Sequence, residues 1–262
     1  MQRIKKLALA LFLVALATGS CRKQATEDLS LDAEAYKKLG MPEHKTVWTN
    51  KEYSDANITL SGLIIDYPLS LPRKNSKKSG ALFNRFVNEE NLSFVNNETT
   101  PLHMRAYRIQ DFETLQSRME QIYAVETEEE KYYKEELISL KIYRLCVHEK
   151  MLELAWKINS SDEEADINLQ PGMQTVKENF LKLMAGLLEE QVKLKEYNLK
   201  DLEKLSSRIS VSLKNNNHWF TSAERDSLVA RINNVIEGSS SDIIRNNYSK
   251  ALKALDVKRN QN

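Results

Sequence analysis

The chain has 262 residues, 38 Lys+Arg against 37 Asp+Glu for a formal net charge of +1, and 41% hydrophobic residues. So even a charge balance argues against a nucleic-acid partner, because neutralising phosphates needs a basic excess. The apolar content is too high and the net charge too low for disorder. Seven Gly and five Pro are too few for the many turns of a sheet protein.

Arg3, Lys5 and Lys6 form a positive start, followed by an apolar run over 7–17 and then Thr18-Gly19-Ser20-Cys21. A spanning helix needs about 20 apolar residues, and this run is about half that. Its length and flanks are those of a cleaved secretory signal. Thr18-Gly19-Ser20-Cys21 resembles the lipobox of bacterial lipoproteins, with small residues at the two positions before the cysteine. It departs from the commonest pattern at Thr18, where Leu is preferred. The resemblance implies that residues 1–20 are removed, that Cys21 carries fatty acids, and that the protein resides in a bacterial cell envelope. Arg22 rather than Asp follows the cysteine, which by the same resemblance implies the outer membrane rather than the inner. One acyl chain holds only marginally, at about 0.8 kcal/mol per buried methylene, so two or three make attachment effectively permanent.

Residues 21–30 are polar and read as a lipidated tether reaching at most about 30 Å, which keeps the folded part close to the bilayer. With Cys21 acylated, Cys146 stands alone, so no disulfide framework is expected. Cys146 lies within a long helical pattern and reads as a buried, inert thiol.

From residue 31 the signals are helical. The first helix, 31–39, stops at Gly40 and Pro42. Thr49 and Glu52 form a capping box with Trp48 and Tyr53 as its hydrophobic staple, and Pro68 closes that helix. The loop 68–78 is irregular and basic. Leu82, Phe83, Phe86 and Val87 mark a short helix, and Leu92-Ser93-Phe94-Val95 suggests a short strand. Pro101 opens a further helix, with Asp111 capping a second one to about 125. An uninterrupted apolar pattern predicts a helix over 128–158, and Pro171 starts the next, 172–197. A break at Asn198 precedes 199–214. Thr221 and Glu224 form a second capping box for a helix ending at Gly238, and the last helix runs over 242–256. The expectation is an all-α fold: one irregular antiparallel bundle of eight or nine helices over 31–262, with 31–125 as a possible subdomain. No 34- or 40-residue repeat is present.

Chemistry is sparse. There is no G-x-S-x-G, dinucleotide fingerprint or P-loop. His44, His103, His148 and His218 stand far apart, and Cys146 and His148, two residues apart, point to different helix faces. No metal or cofactor is expected, since helical ligands need spacings of three or four. Asp162-x-Glu164-x-Asp166 lacks the turn glycine of a calcium loop, and Met173 stands where the bidentate acid belongs. Glu126, Glu128, Glu129 and Glu130 complement a helix dipole. Glu149 and Glu153 read as a hydrated face among lysines rather than a catalytic pair.

Two surface patches remain as binding candidates. Arg73, Lys74, Lys77 and Lys78 form a basic loop suited to anionic headgroups or cell wall. Asn215-Asn216-Asn217-His218-Trp219-Phe220 sets aromatics beside amides; His218 and Trp219 are suited to stacking on sugar or peptide, while such a pair also plugs bundle ends. The sum is a lipid-anchored envelope protein that binds an envelope protein or a cell-wall component such as peptidoglycan. The alternatives are a glycan-active hydrolase using two carboxylates brought together by the fold, and a carrier of a small apolar ligand.

Overall fold

A computed structural model describes residues 28–42, 46–125, 132–160, 170–192 and 197–256. Cys21 and the preceding signal, His44, Glu126 to Glu130, and Asp162, Glu164 and Asp166 lie outside the described residues. The fold is an all-α multi-helix bundle: α1 (Ala33–Lys38), α2 (Asn50–Asp66), α3 (Gly80–Phe86), α4 (Leu102–Tyr123), α5 (Lys134–Ser160), α6 (Gln170–Gln191), α7 (Leu199–Asn216), α8 (Ser222–Gly238) and α9 (Asp242–Asp256). Two 3₁₀ helices, Glu89–Asn96 and Asn217–Trp219, complete it, and no strand occurs among the described residues. No helix among them is long and apolar enough to cross a membrane.

The helices start where local chemistry supplies their orphan N–H groups with acceptors. Asp32 Oδ1 accepts from Ala35 N at 2.8 Å. In the Thr49 capping box Thr49 N donates to Glu52 Oε2 at 2.8 Å. At α7 Asn198 Oδ1 accepts from Asp201 N at 2.9 Å, and at α8 Thr221 N donates to Glu224 Oε2 at 2.7 Å. Gly40 follows α1 with φ +98°, a left-handed conformation that costs a side-chain-bearing residue about 1 kcal/mol.

The staple residues Trp48 and Tyr53 meet edge-on at 6.3 Å and seed a chain of rings. Tyr53 packs on Phe112 at 4.8 Å, Trp48 on Phe86 at 5.3 Å, Phe83 on Tyr123 at 5.7 Å, and Tyr123 on Tyr133 at 5.2 Å. The loop 68–78 lies over this chain and is held by its hydroxyls. Tyr123 OH donates to Pro72 O at 2.8 Å, while Tyr133 OH accepts from Leu71 N at 3.0 Å.

α5, 27 residues and about 40 Å long, is the axis of the molecule. It packs on α4, α6 and α7 and on the first 3₁₀ helix; α9 packs on α7 and α8, and α6 on α8. Buried apolar side chains from Tyr36 to Leu255 form one connected core.

Four segments differ from the sequence reading. Leu92-Ser93-Phe94-Val95 is not a strand but part of the 3₁₀ helix Glu89–Asn96, where Leu92 and Val95 share one buried side at the three-residue period. Asn91 fixes it, accepting from Trp48 N at 2.7 Å and donating to Arg85 O at 2.8 Å. Asp111 caps nothing: α4 runs unbroken through it, because Ile109, Phe112, Gln116 and Met119 keep one stripe buried. α5 starts at Lys134, after a turn at 132–133, and the predicted start at 128 lies outside the described residues; α6 ends at Gln191, whose amide turns inward to donate to Leu202 O at 3.3 Å.

Candidate functional site

Arg73 and Lys74 of the basic loop are engaged within the fold. Arg73 stacks on Tyr132 at 4.9 Å and Tyr133 at 5.7 Å, and lies 3.9 Å from Glu136. Lys74 donates through its backbone N–H to Glu136 Oε1 at 2.8 Å and through Nζ to Ser139 Oγ at 2.6 Å. Burial nonetheless pushes Glu136 above the ordinary carboxylate range. Lys77 and Lys78 are exposed. They follow Ser76, whose hydroxyl donates to Asp28 Oδ2 at 2.6 Å, so this loop sits at the start of the described chain.

The segment 215–220 divides. Phe220 is buried and stacks on Phe180 at 6.1 Å, a plug for the bundle end. Trp219 and the exposed His218 instead border a groove of about 380 Å³, joined by Trp156 and Glu149 of α5. Glu153 lies on a hydrated face, paired with Lys150 at 2.7 Å and Lys157 at 2.8 Å. Glu149 does not: it turns to Arg208 of α7, and burial raises its pKa. Cys146, also against Arg208, is pushed up to about 11 by burial, which keeps it a neutral thiol.

A second, strongly polar concavity is one that sequence reasoning missed. Between α4, α5 and α6 lies a groove of about 560 Å³, within the range of small-molecule sites. α4 contributes Glu113 and Glu120, two turns apart; α5 contributes Lys141, Arg144 and His148; α6 contributes Lys182, Gly186 and Glu190. Arg144 joins the two α4 carboxylates, with Nη2 2.9 Å from Glu113 Oε1 and Nη1 3.5 Å from Glu120 Oε2. Lys141 Nζ pairs with Glu190 Oε1 at 2.7 Å. His148 is 2% exposed, and its Nε2 lies 3.3 Å from Glu113 Oε1; a carboxylate there only accepts, which puts the ring proton on Nε2.

The two α4 carboxylates are driven apart in acidity. The hydrogen bond from His148, with help from the Arg144 charge, holds Glu113 below the ordinary carboxylate range against its burial. Burial raises Glu120, and the charges of Arg144 and Lys141 only partly offset it. Glu120 Oε1, Glu190 Oε2 and His148 Nδ1 are buried without a hydrogen-bond partner, a cost of about 1–3 kcal/mol each that a ligand's polar groups would relieve. No group of three or more His, Cys, Asp or Glu among the described residues is placed to hold a metal ion.

The acidity of Glu120 yields a pH prediction. Its folded-state pKa lies above the ordinary 4.5, so the folded chain binds this proton more tightly than the unfolded one. That stabilisation is present below 4.5 and is lost as pH rises through the folded value. Glu120→Gln, which cannot ionise, therefore gains stability relative to the parent between about pH 4 and pH 8, as urea unfolding at the two pH values would measure.

No protein-family model, curated protein sequence or solved structure matches this chain.

Proposed function

We propose that this protein is a lipid-anchored component of the bacterial cell envelope that acts by binding, with the groove between α4, α5 and α6 as its ligand seat. The observation that carries the reading is the set of unpartnered polar atoms in that groove, Glu120 Oε1, Glu190 Oε2 and His148 Nδ1. Three carboxylates face Lys141, Arg144 and Lys182, so the lining offers both signs of charge. A peptide with free ammonium and carboxylate groups complements such a lining, and cell-wall peptides have that chemistry. The charged lining does not suit a small apolar cargo. The anchor part of the reading rests on Cys21. From residue 22 to Asp28 the chain reaches at most about 25 Å, which would bring Lys77 and Lys78 near the headgroups.

Calorimetric titration of the full-length protein in detergent with a lysine-containing pentapeptide bearing free termini tests the seat. Gly186 lines the groove, and a Cβ there meets no atom within 4 Å. Gly186→Leu therefore fills the groove while improving helix propensity by up to about 1 kcal/mol. Saturable binding by the parent and its loss in Gly186→Leu, with an unchanged or higher Tm, is the expected result. Equal binding by both proteins, or by neither, contradicts the seat.

A second reading, hydrolysis of cell-wall glycan, is favoured by one observation. Glu113 is held low and Glu120 high within a single groove, the pattern of a base beside an acid. Release of soluble fragments from purified peptidoglycan, abolished in Glu120→Gln, would support it; no release by the parent removes it.

A further inference from the structure

The groove bordered by α5 and α7 lies about a third of a turn around α5 from the charged one, and its stacking geometry can be tested apart from the anchor. Trp156 leaves 48% of its surface in water, a large apolar area to expose. Trp156 and Trp219 meet at 6.4 Å with their planes inclined by 64°, so they form a corner with two ring faces rather than a closed stack. His218 lies 4.4 Å from Trp219. Deeper in, the half-buried carboxyl of Glu149 is held by Arg208, with the Ser212 hydroxyl of α7 beside it. On the rim, the exposed Asn215 offers an amide.

Both carboxylates of the groove already have cationic partners, three cations to two carboxylates. Glu153 is held by Lys150 and Lys157, and Glu149 by Arg208. A cationic ligand such as a quaternary ammonium would have to displace one of those pairs, since no carboxylate is left over. A neutral molecule with flat apolar faces and a hydroxylated edge fits these features: C–H faces lie on the indoles, while edge groups reach the exposed Asn215 on the rim. We propose that this groove is a saccharide site, with Trp156 and Trp219 as its stacking faces and Asn215 on its polar rim; the choice of a β-linked N-acetylhexosamine oligomer as its sugar rests on the cell-envelope reading above.

Fluorescence tests this directly, because the third tryptophan, Trp48, is fully buried elsewhere. The full-length protein, in a polyoxyethylene detergent that carries no sugar, is titrated with a β-1,4-linked tetramer of N-acetylglucosamine. A saturable change in emission is expected in the parent. By calorimetry, Trp156→Ala and Trp219→Ala each bind roughly tenfold or more weakly. Trp156→Phe, which keeps a ring face, binds between the parent and Trp156→Ala. Trp156 is half exposed, so Trp156→Ala keeps the parent's unfolding transition and its loss of binding is not a loss of fold. An absent or non-saturable response overturns the proposal, as does Trp156→Ala binding as tightly as the parent. An equal response to choline overturns it as well, because the groove would then be reading a cation.

Discussion

Replacing Tyr53 with alanine destabilises the fold by about 3–5 kcal/mol, the range for deleting a fully enclosed aromatic ring. Tyr53 has no exposed surface and contacts Trp48, Phe86 and Phe112. It is the point where α2 meets α4 and α3. Its hydroxyl hydrogen-bonds Phe86 O at 2.9 Å, with Gln116 Oε1 as a second acceptor beside it, and Gln116 Nε2 donates onward to Leu140 O of α5 at 3.0 Å. Tyr53→Phe keeps the ring and strands those acceptors, for a loss of about 1–3 kcal/mol. Urea unfolding of the three proteins separates ring from hydroxyl. A loss below about 1 kcal/mol for Tyr53→Ala would show that this cluster does not hold the N-terminal helices to α5.

The second large effect is at Arg144. Removing it leaves Glu113 and Glu120, with Glu190 nearby, facing one another without their shared cation. Breaking a fully buried pair costs about 3–5 kcal/mol. Arg144 keeps a quarter of its side chain in water, and solvent screening reduces the expected loss for Arg144→Ala to about 2 kcal/mol. The loss depends on pH with a definite sign. Without Arg144 the folded-state pKa values of both glutamates rise, and stability from a raised carboxyl is lost as pH climbs through its folded value. The deficit of Arg144→Ala is therefore larger at about pH 8 than at pH 4, and a pH-independent deficit would refute the assignment. Arg144→Lys restores charge but cannot span two carboxylates, so it recovers only part of the stability and none of the pentapeptide binding.

Much of the fold is legible because it is written in local chemistry. Thr49 with Glu52, Thr221 with Glu224, Asn198 and Gly40 mark helix ends that depend on neighbouring residues alone. The misread segments are those where packing decides. Four residues such as Leu92 to Val95 are too few to distinguish a period of two from one of three. Asp111 has a good capping residue's chemistry, yet the buried stripe either side of it keeps α4 continuous.

The site is less legible for a related reason. Lys141, Arg144 and His148 recur at three and four along α5, a polar stripe that periodicity does reveal. Which carboxylates meet that stripe depends on how α4 and α6 lie against α5, and no spacing encodes that. Glu149 and Glu153 make the same point: both fit a hydrated face on spacing alone, but only α7, by bringing Arg208, separates them. Trp219 stands out beside three asparagines, whereas Trp156 becomes its partner only through the fold.

The anchor is the claim on which the rest of the biology depends, and the intact mass of the protein recovered from bacterial membranes measures it most directly. The account predicts a chain that begins at Cys21 and is heavier than its residues by two or three fatty acyl groups, with Cys21→Ala lacking that mass and leaving the membrane fraction. An unacylated chain in the membrane, or a Cys21→Ala protein that stays there, would contradict it.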